Sequence, residues 1–334
     1  MRLRLLPAGL AAAAAVPAIL LDTDMSIDVD DVGALCAMHA LVDAGEATLL
    51  GVVHDTALPT GVGAISAINR YYGRNVPVGA YRGPVGDPDT TYGEGWTNHG
   101  RGRYADDLAA QFPLWIERAE GAPDALQVYL QVLEAADDAS VTIASVGFLT
   151  NLLDLLRSDS GVALVEQKVR EMVVMGGKHS CGGWCEEWNL AACGGDCGSY
   201  DLLGPISQEA LSLWPPSVPI VFVPYERGNE VHTGGVGAET DNNPCYTAYV
   251  LFCSRMHNWC RGYQRASWDV MAVVVAVRGA EERFYRVETG RMSINSHGRN
   301  KWEALPDASQ SMALVTDISG VEEEIQELLR RPAG

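Results

Sequence analysis

Along this chain, short apolar runs rich in β-branched residues alternate with segments whose apolar positions recur every three or four residues. The first pattern is that of buried strands, the second that of helices packed by one face. Strands are expected at 18–21, 48–53, 76–79, 141–145, 169–175 and 219–223. Helices are expected at 32–44, 63–72, 105–117, 123–136, 149–157, 205–213, 245–264 and 269–277. Such alternation, without repeats or low-complexity linkers, predicts an α/β fold. One domain over residues 19–330 would carry an open, mostly parallel, Rossmann-like central sheet flanked by helices. Ligands of such sheets bind beyond the carboxyl ends of the strands. Four segments fall there: 22–31, His54-Asp55, 147–151 and 176–179.

The first 18 residues stand outside that pattern. Arg2 and Arg4 precede an apolar run over 5–16, and Val16-Pro17-Ala18 offers a small-residue cleavage site. This is the layout of a secretory signal peptide, too short to span a bilayer, so the mature protein is expected outside the cell. The chain of 334 residues, 47% of them hydrophobic, is long enough for one large core. Forty-three acidic against 24 basic residues give a formal charge of -19. That excludes nucleic acid and anionic membrane as expected partners. Eight cysteines fit an oxidising compartment. Cys181, Cys185, Cys193 and Cys197 cluster in a Gly-rich segment, where one or two disulfides are expected and a zinc site is the alternative. Cys36 lies in an apolar helical pattern and reads as a buried thiol. Cys253 and Cys260 are two turns apart on the expected 245–264 helix, about 10 Å between Cα atoms and too far to bridge.

The chemistry concentrates in DTDMSIDVDD, residues 22–31, where a strand hands over to a helix. Aspartate at a helix start caps free N–H groups and complements the dipole. That accounts for two of Asp22, Asp24, Asp28, Asp30 and Asp31. It does not account for five, whose mutual repulsion in a partly buried loop calls for a cation. The spacing suggests a hard metal ion with oxygen ligands. An EF-hand loop does not fit, because Ile27 stands at the required glycine and Gly33 at the final glutamate.

ILLDTDMS resembles the start of the haloacid-dehalogenase-like phosphatases, magnesium enzymes in which Asp22 would be the nucleophile. No later segment clearly supplies the rest of that machinery. LLDTDMSIDVDDVGAL resembles the longer opening motif of the inosine-uridine-type nucleoside hydrolases, and further segments follow in that family's order. ASVGFLTNLLDLL (144–156) resembles its Gly-x-Leu-Thr-Asn turn, VVMGG (173–177) its Met-Gly-Gly strand end, and EEWNL (186–190) its Glu-Phe-Asn motif. SWDVMAVVVAV (267–277) resembles its late Asp-x-x-Ala-Val helix start. Each motif is weak alone; five in order from residue 19 to about 280 are specific. A calcium-binding extracellular protein that kept the fold without turnover is the third reading.

The resemblance implies hydrolysis of the N-glycosidic bond of ribonucleosides through an oxocarbenium-like state. It implies one Ca²⁺ held by Asp24, Asp31, the Thr150 carbonyl and Asp269, with Asp24 as general base for the attacking water. Asp30 would bind ribose hydroxyls, with Asp28 the second candidate because the loop is two residues longer than usual. Asp55 stands where the family has asparagine, and Glu187 and Asn189 match the pair that reads the 5′ side. Purine-selective relatives carry tryptophan just before the late metal aspartate, as Trp268 is here, and stack the base between it and a second aromatic. Trp96, in GEGWTNHG, is the candidate partner. His99 and His179 are candidate leaving-group acids, Glu226 a candidate ligand contact, and Asp22 a buttress of the loop. The sequence departs from the family at Met25-Ser26, where Pro-Gly is usual, at Cys181, where a sugar-binding asparagine is common, and in the insert 191–199. A nucleoside is the implied partner, and a homo-oligomer is left open.

Overall fold

The apolar run that opens the domain forms β1 (Ala18–Thr23), buried from Ile19 to Thr23. The computed structural model describes residues 16–25, 28–86, 103–191, 200–235 and 242–334. It places β1 inside a nine-stranded sheet with β2 (Thr48–His54), β3 (Val78–Ala80), β4 (Val141–Ser145), β5 (Val169–Met175) and β6 (Ile220–Val223). A separate three-stranded sheet holds β7 (His232–Thr233), β8 (Cys260–Arg261) and β9 (Gln264–Ala266). The large sheet is completed by β10 (Tyr285–Ile294), β11 (Asn300–Ala304) and β12 (Gln310–Val315).

The large sheet runs in the order β11-β10-β12-β6-β5-β4-β1-β2-β3. From β12 to β3 every neighbouring pair is parallel, and the β10–β11 hairpin adds an antiparallel edge. The chain winds outward from β1 through β2 and β3, then returns to β4 on the opposite side. The strand order therefore reverses between β1 and β4, which opens a crevice at their carboxyl ends.

The helices are α1 (Asp30–Asp43), α2 (Gly61–Tyr71), α3 (Arg103–Gln111), α4 (Ala125–Ala135), α5 (Thr150–Arg157), α6 (Gly161–Lys168), α7 (Trp188–Ala191), α8 (Tyr200–Leu213), α9 (Tyr225–Gly228), α10 (Pro244–Arg255), α11 (Trp268–Arg278) and α12 (Ile318–Arg330). Two of them decide the site. α1 is buried from Asp30 to Leu41 and α11 from Asp269 to Val277, and they pack against one another. A helix apolar on all sides belongs in the core. Close packing here needs Gly33: a Cβ there would lie 2.2 Å from the Tyr249 hydroxyl and 2.8 Å from a Val270 methyl.

The expected α/β architecture holds, with differences that have physical causes. The 245–264 helix stops at Arg255, and a turn carries the chain into β8 and β9. Cys253 and Cys260 thereby come to a Cα separation of 5.6 Å and form a disulfide, which a continuous helix would forbid. Cys36 is not a thiol: it is bonded to Cys245, 209 residues away, tying α1 to α10. Cys181 and Cys185 form a third bridge, as expected of that cluster, while Cys193 and Cys197 lie outside the described residues. The strands β10 and β11 carry mixed polar and apolar faces at the sheet edge, so no continuous apolar run announced them, and the short apolar run of β12 over 312–315 lies outside the expected strands. Among the described residues no helix is long and apolar enough to cross a membrane.

Candidate functional site

At the β1–β4 crevice lies a cavity of about 310 Å³. Asp24, Asp28, Asp30, Asp31, Glu187, Asn189 and Asp269 line its polar side. Tyr225, Trp259 and Trp268 form an aromatic wall, with Arg265 among them, and Val146, Met175 and Trp188 complete the lining. Loops after β1, β4, β5 and β6 and the start of α11 thus converge on one space.

The acidic loop is held from several sides. Met25 is fully buried, its carbonyl accepting a hydrogen bond from His54 Nε2 at 2.7 Å. Tyr104 donates its hydroxyl to the Asp28 carbonyl. Arg265 grips the Asp28 carboxylate, Nε at 3.0 Å and Nη2 at 2.6 Å. Behind the loop, Asp22 accepts from Tyr129 at 2.7 Å and from Asn151 at 2.9 Å. Both of its oxygens face the core side, and it does not line the cavity. The turn after β4 presses on the acids directly: a Cβ on Gly147 would lie 2.5 Å from Asp24 N and 2.2 Å from Asp55 Oδ2, so this close approach requires glycine.

Three carboxylates meet. Asp24, Asp31 and Asp269 each present an oxygen within 4.8 Å of the others, at exposures of 4%, 1% and 5%. Asp31 Oδ1 accepts from Thr23, and Asp31 Oδ2 has no hydrogen-bond partner. Asp30 lies beside them and accepts the Asp269 N–H at 3.2 Å. Burial pushes the Asp24 carboxyl up to about 8, and the Asp28 and Glu187 charges add to the rise. Burial, then the neighbouring carboxylates, likewise hold Asp31 and Asp269 well above the usual range. The nearby guanidinium of Arg265 is engaged by Asp28. The triad therefore has the features of a hard-cation site: buried oxygens only, one of them orphaned, and repulsion that a divalent ion removes. Asp24, Asp31 and Asp269 are the residues that would hold it.

The remaining nominated residues fall in different places. Thr150 opens α5 and donates its hydroxyl to the Asp55 carbonyl at 2.5 Å. Asp55 is fully buried beside Asp24 and Gly147 and does not line the cavity; neither carboxylate oxygen has a partner. Glu187 accepts the Gly177 N–H at 2.9 Å and the Asn189 N–H at 3.0 Å, and burial pushes its carboxyl up to about 7. The Asn189 amide nitrogen donates to the carbonyls of Val146 and Met175 at 2.9 and 3.1 Å. Trp268 stacks on Tyr225 with ring centroids 5.4 Å apart, and its indole N–H donates to the Tyr225 carbonyl. His179 and Glu226 line a neighbouring cavity; His179 is paired with Glu288 at 2.8 Å, and Glu226 accepts the Ser180 N–H. Trp96 and His99 lie outside the described residues. Sequence reasoning missed Arg265, Tyr225, Trp259 and Trp188. Arg265 stands three residues before the Trp268-Asp269 pair, and that proximity was the available signal.

A parallel sheet with an acid-lined cavity at its switch point defines an α/β protein built around a buried carboxylate triad. Comparison narrows the class. Residues 19–192 match the family described as inosine-uridine preferring nucleoside hydrolase. An inosine-uridine preferring nucleoside hydrolase from Bacillus anthracis is similar in structure, with a TM-score of 0.62 and 18% identity over 95% of this chain and 99% of that one. An inosine-guanosine nucleoside hydrolase matches with a TM-score of 0.64 and 16% identity over 94% and 98% of the two chains. A plant nucleoside hydrolase matches at 0.63 and 14%, over 96% and 99%. No curated protein matches. The chain belongs to the nucleoside hydrolase family, and its activity is hydrolysis of the N-glycosidic bond of nucleosides.

Proposed function

We propose that this nucleoside hydrolase cleaves purine ribonucleosides to free base and ribose, uses Ca²⁺, and works outside the cell. The observation that carries the reading is the buried Asp24–Asp31–Asp269 triad opening into a cavity with an aromatic wall. Asp24, Asp31 and Asp269, with the Thr150 carbonyl, would hold the Ca²⁺, which would supply positive charge to acidify a water and to bind sugar hydroxyls. Asp24 takes the proton from the attacking water, its carboxylate buried at the polar side of the cavity. Asp30 accepts from a ribose hydroxyl. Asp28 lines the same side, but Arg265 engages its carboxylate, which favours Asp30 in that role. Glu187 and Asn189 face the 5′ side, each fixed by backbone hydrogen bonds. Trp268, backed by Tyr225, offers the purine a flat wall, worth about 0.5–1.5 kcal/mol beyond burial. Three disulfides among the described residues and the leader-like first 18 residues support secretion.

The test is a panel of purine and pyrimidine nucleosides incubated with the mature protein, read as reducing sugar. Purine nucleosides release ribose, and Asp24→Asn lowers kcat by about 10²–10⁴-fold, the range of a lost general base. Calcium and nucleoside binding without free ribose would overturn the catalytic reading. Equal rates on both base classes would overturn the purine preference.

A further inference from the structure

C1′–N cleavage delivers a bonding pair to a poor leaving group, and the departing base must be stabilised. Among the described residues that line the cavity, one carries a permanent positive charge: Arg265. It is 9% exposed and comes from β9. Its Nε and Nη2 donate to Asp28 at 2.6–3.1 Å, and its Nη1 donates to the Trp259 carbonyl at 3.2 Å. Its guanidinium carbon lies 4.9 Å from the Trp268 ring centroid and 5.2 Å from that of Trp259. These contacts lock a planar cation into the aromatic wall where the base would lie. A guanidinium carries five N–H donors. The hydrogen bonds above use three, which leaves one on each terminal nitrogen.

We propose that Arg265 is the leaving-group residue: its two uncommitted N–H groups hydrogen-bond to the departing base and hold the negative charge that develops there. The inference rests on the nucleoside-hydrolase reading of the cavity. In the step, the water oxygen bonds to C1′ and its proton goes to Asp24. The C1′–N bond breaks, and its electron pair passes to the base and spreads over the ring nitrogens and any exocyclic oxygen. Arg265 gives up no proton, because guanidinium stays charged in proteins; the base takes its proton from solvent after departure. Asp28 does not cancel the effect. It occupies the Nε edge and fixes the plane, while the remaining donors keep their polarity. No histidine lines the cavity among the described residues, so an electrostatic solution suits this site better than a proton relay.

The experiment compares two substrates of one sugar. Inosine has a poor leaving group; p-nitrophenyl β-ribofuranoside expels a stable phenolate without help. Arg265→Met lowers kcat/KM for inosine about 10²-fold or more, the loss typical of a charge-stabilising donor, and lowers that for the nitrophenyl riboside less than about fivefold. Arg265→Lys, which keeps the charge and loses the fork, falls between on inosine. The double variant Arg265→Met with Asp28→Asn removes both charges of the pair and gives the same split if the single variant fails to fold. Equal losses on both substrates would assign Arg265 a structural role and overturn the proposal alone. A wild-type protein that cleaves neither substrate would overturn the nucleoside-hydrolase reading and this inference with it.

Discussion

Removal of the Cys36–Cys245 bridge is expected to be the costliest loss of any disulfide described here. The bridge closes a loop of 209 residues and joins the helix that opens with Asp30 and Asp31 to α10. Cross-linking over that separation removes about 18 cal/mol/K of chain entropy from the unfolded state, or about 5 kcal/mol at 25 °C. Unfolding entropy runs near 2.1 cal/mol/K per residue, so a chain of this length gains about 0.7 kcal/mol/K, and Cys36→Ala with Cys245→Ala lowers Tm by about 8 °C. The same arithmetic for Cys181–Cys185, a separation of 4 residues, gives about 2 kcal/mol and about 3 °C. Differential scanning calorimetry of the two double variants, at one calcium concentration, measures both. A Cys36/Cys245 variant that melts no lower than the Cys181/Cys185 variant would refute the loop-entropy reasoning. Free-thiol titration of the unfolded wild-type protein gives an independent check, because each bridge withholds two thiols.

Two further expectations follow from the buried acids. Burial raises Asp24 to about 8 and Asp22 and Glu187 to about 7, whereas unfolded carboxyls titrate near 4. Between about pH 4 and 8 the metal-free native state therefore binds more protons than the unfolded chain, and it loses stability as pH rises. A bound cation keeps the triad ionised, so the rise in Tm on adding calcium to chelator-treated protein should grow from pH 5 to pH 8; a rise independent of pH would contradict the electrostatic account. Asp22→Asn should retain nucleoside hydrolysis within about tenfold at a cost near 1 kcal/mol, because the amide oxygen still accepts from Asn151 while the amide nitrogen can donate to the Tyr129 hydroxyl. Complete loss of activity in a folded Asp22→Asn protein would show that this residue does more than support the loop.

The sheet was legible where strands are buried on both faces. β1, β2, β4, β5 and β6 read as continuous apolar runs because parallel strands under two helical layers have no solvent side. The edge was not legible: β10 and β11 alternate exposed and buried positions over a hairpin, and their pattern is diluted by Arg286, Glu288 and Arg291. Of the gathered Asp24, Asp31 and Asp269, position alone brought only 22–31 to the rim of the sheet; Asp269 was legible only through the resemblance of 267–277 to a family motif. What spacing could not reveal is contact between distant segments. Arg265 meets Asp28 across 237 residues, and Cys36 meets Cys245 because α10 lies against α1. The break of the helix after Arg255 was masked because Phe252, Met256, Trp259 and Cys260 keep a three- to four-residue spacing, although Gly262 marks a turn just beyond.

Two of the triad's three acids ride on the two helices that fill the middle of the molecule, and this governs how mutations travel. Asp31 belongs to the first turn of α1 and Asp269 to the first turn of α11, and the rest of each helix is close-packed against the other. Close-packed interiors transmit displacement rather than absorb it. A methyl group removed from Val273 or Leu35, remote from any ligand, shifts a helix axis and with it the spacing of the acids. Inherited variation in this core would therefore be read out first as altered ion affinity and only later as loss of folding, so selection on catalysis reaches residues that never touch a substrate.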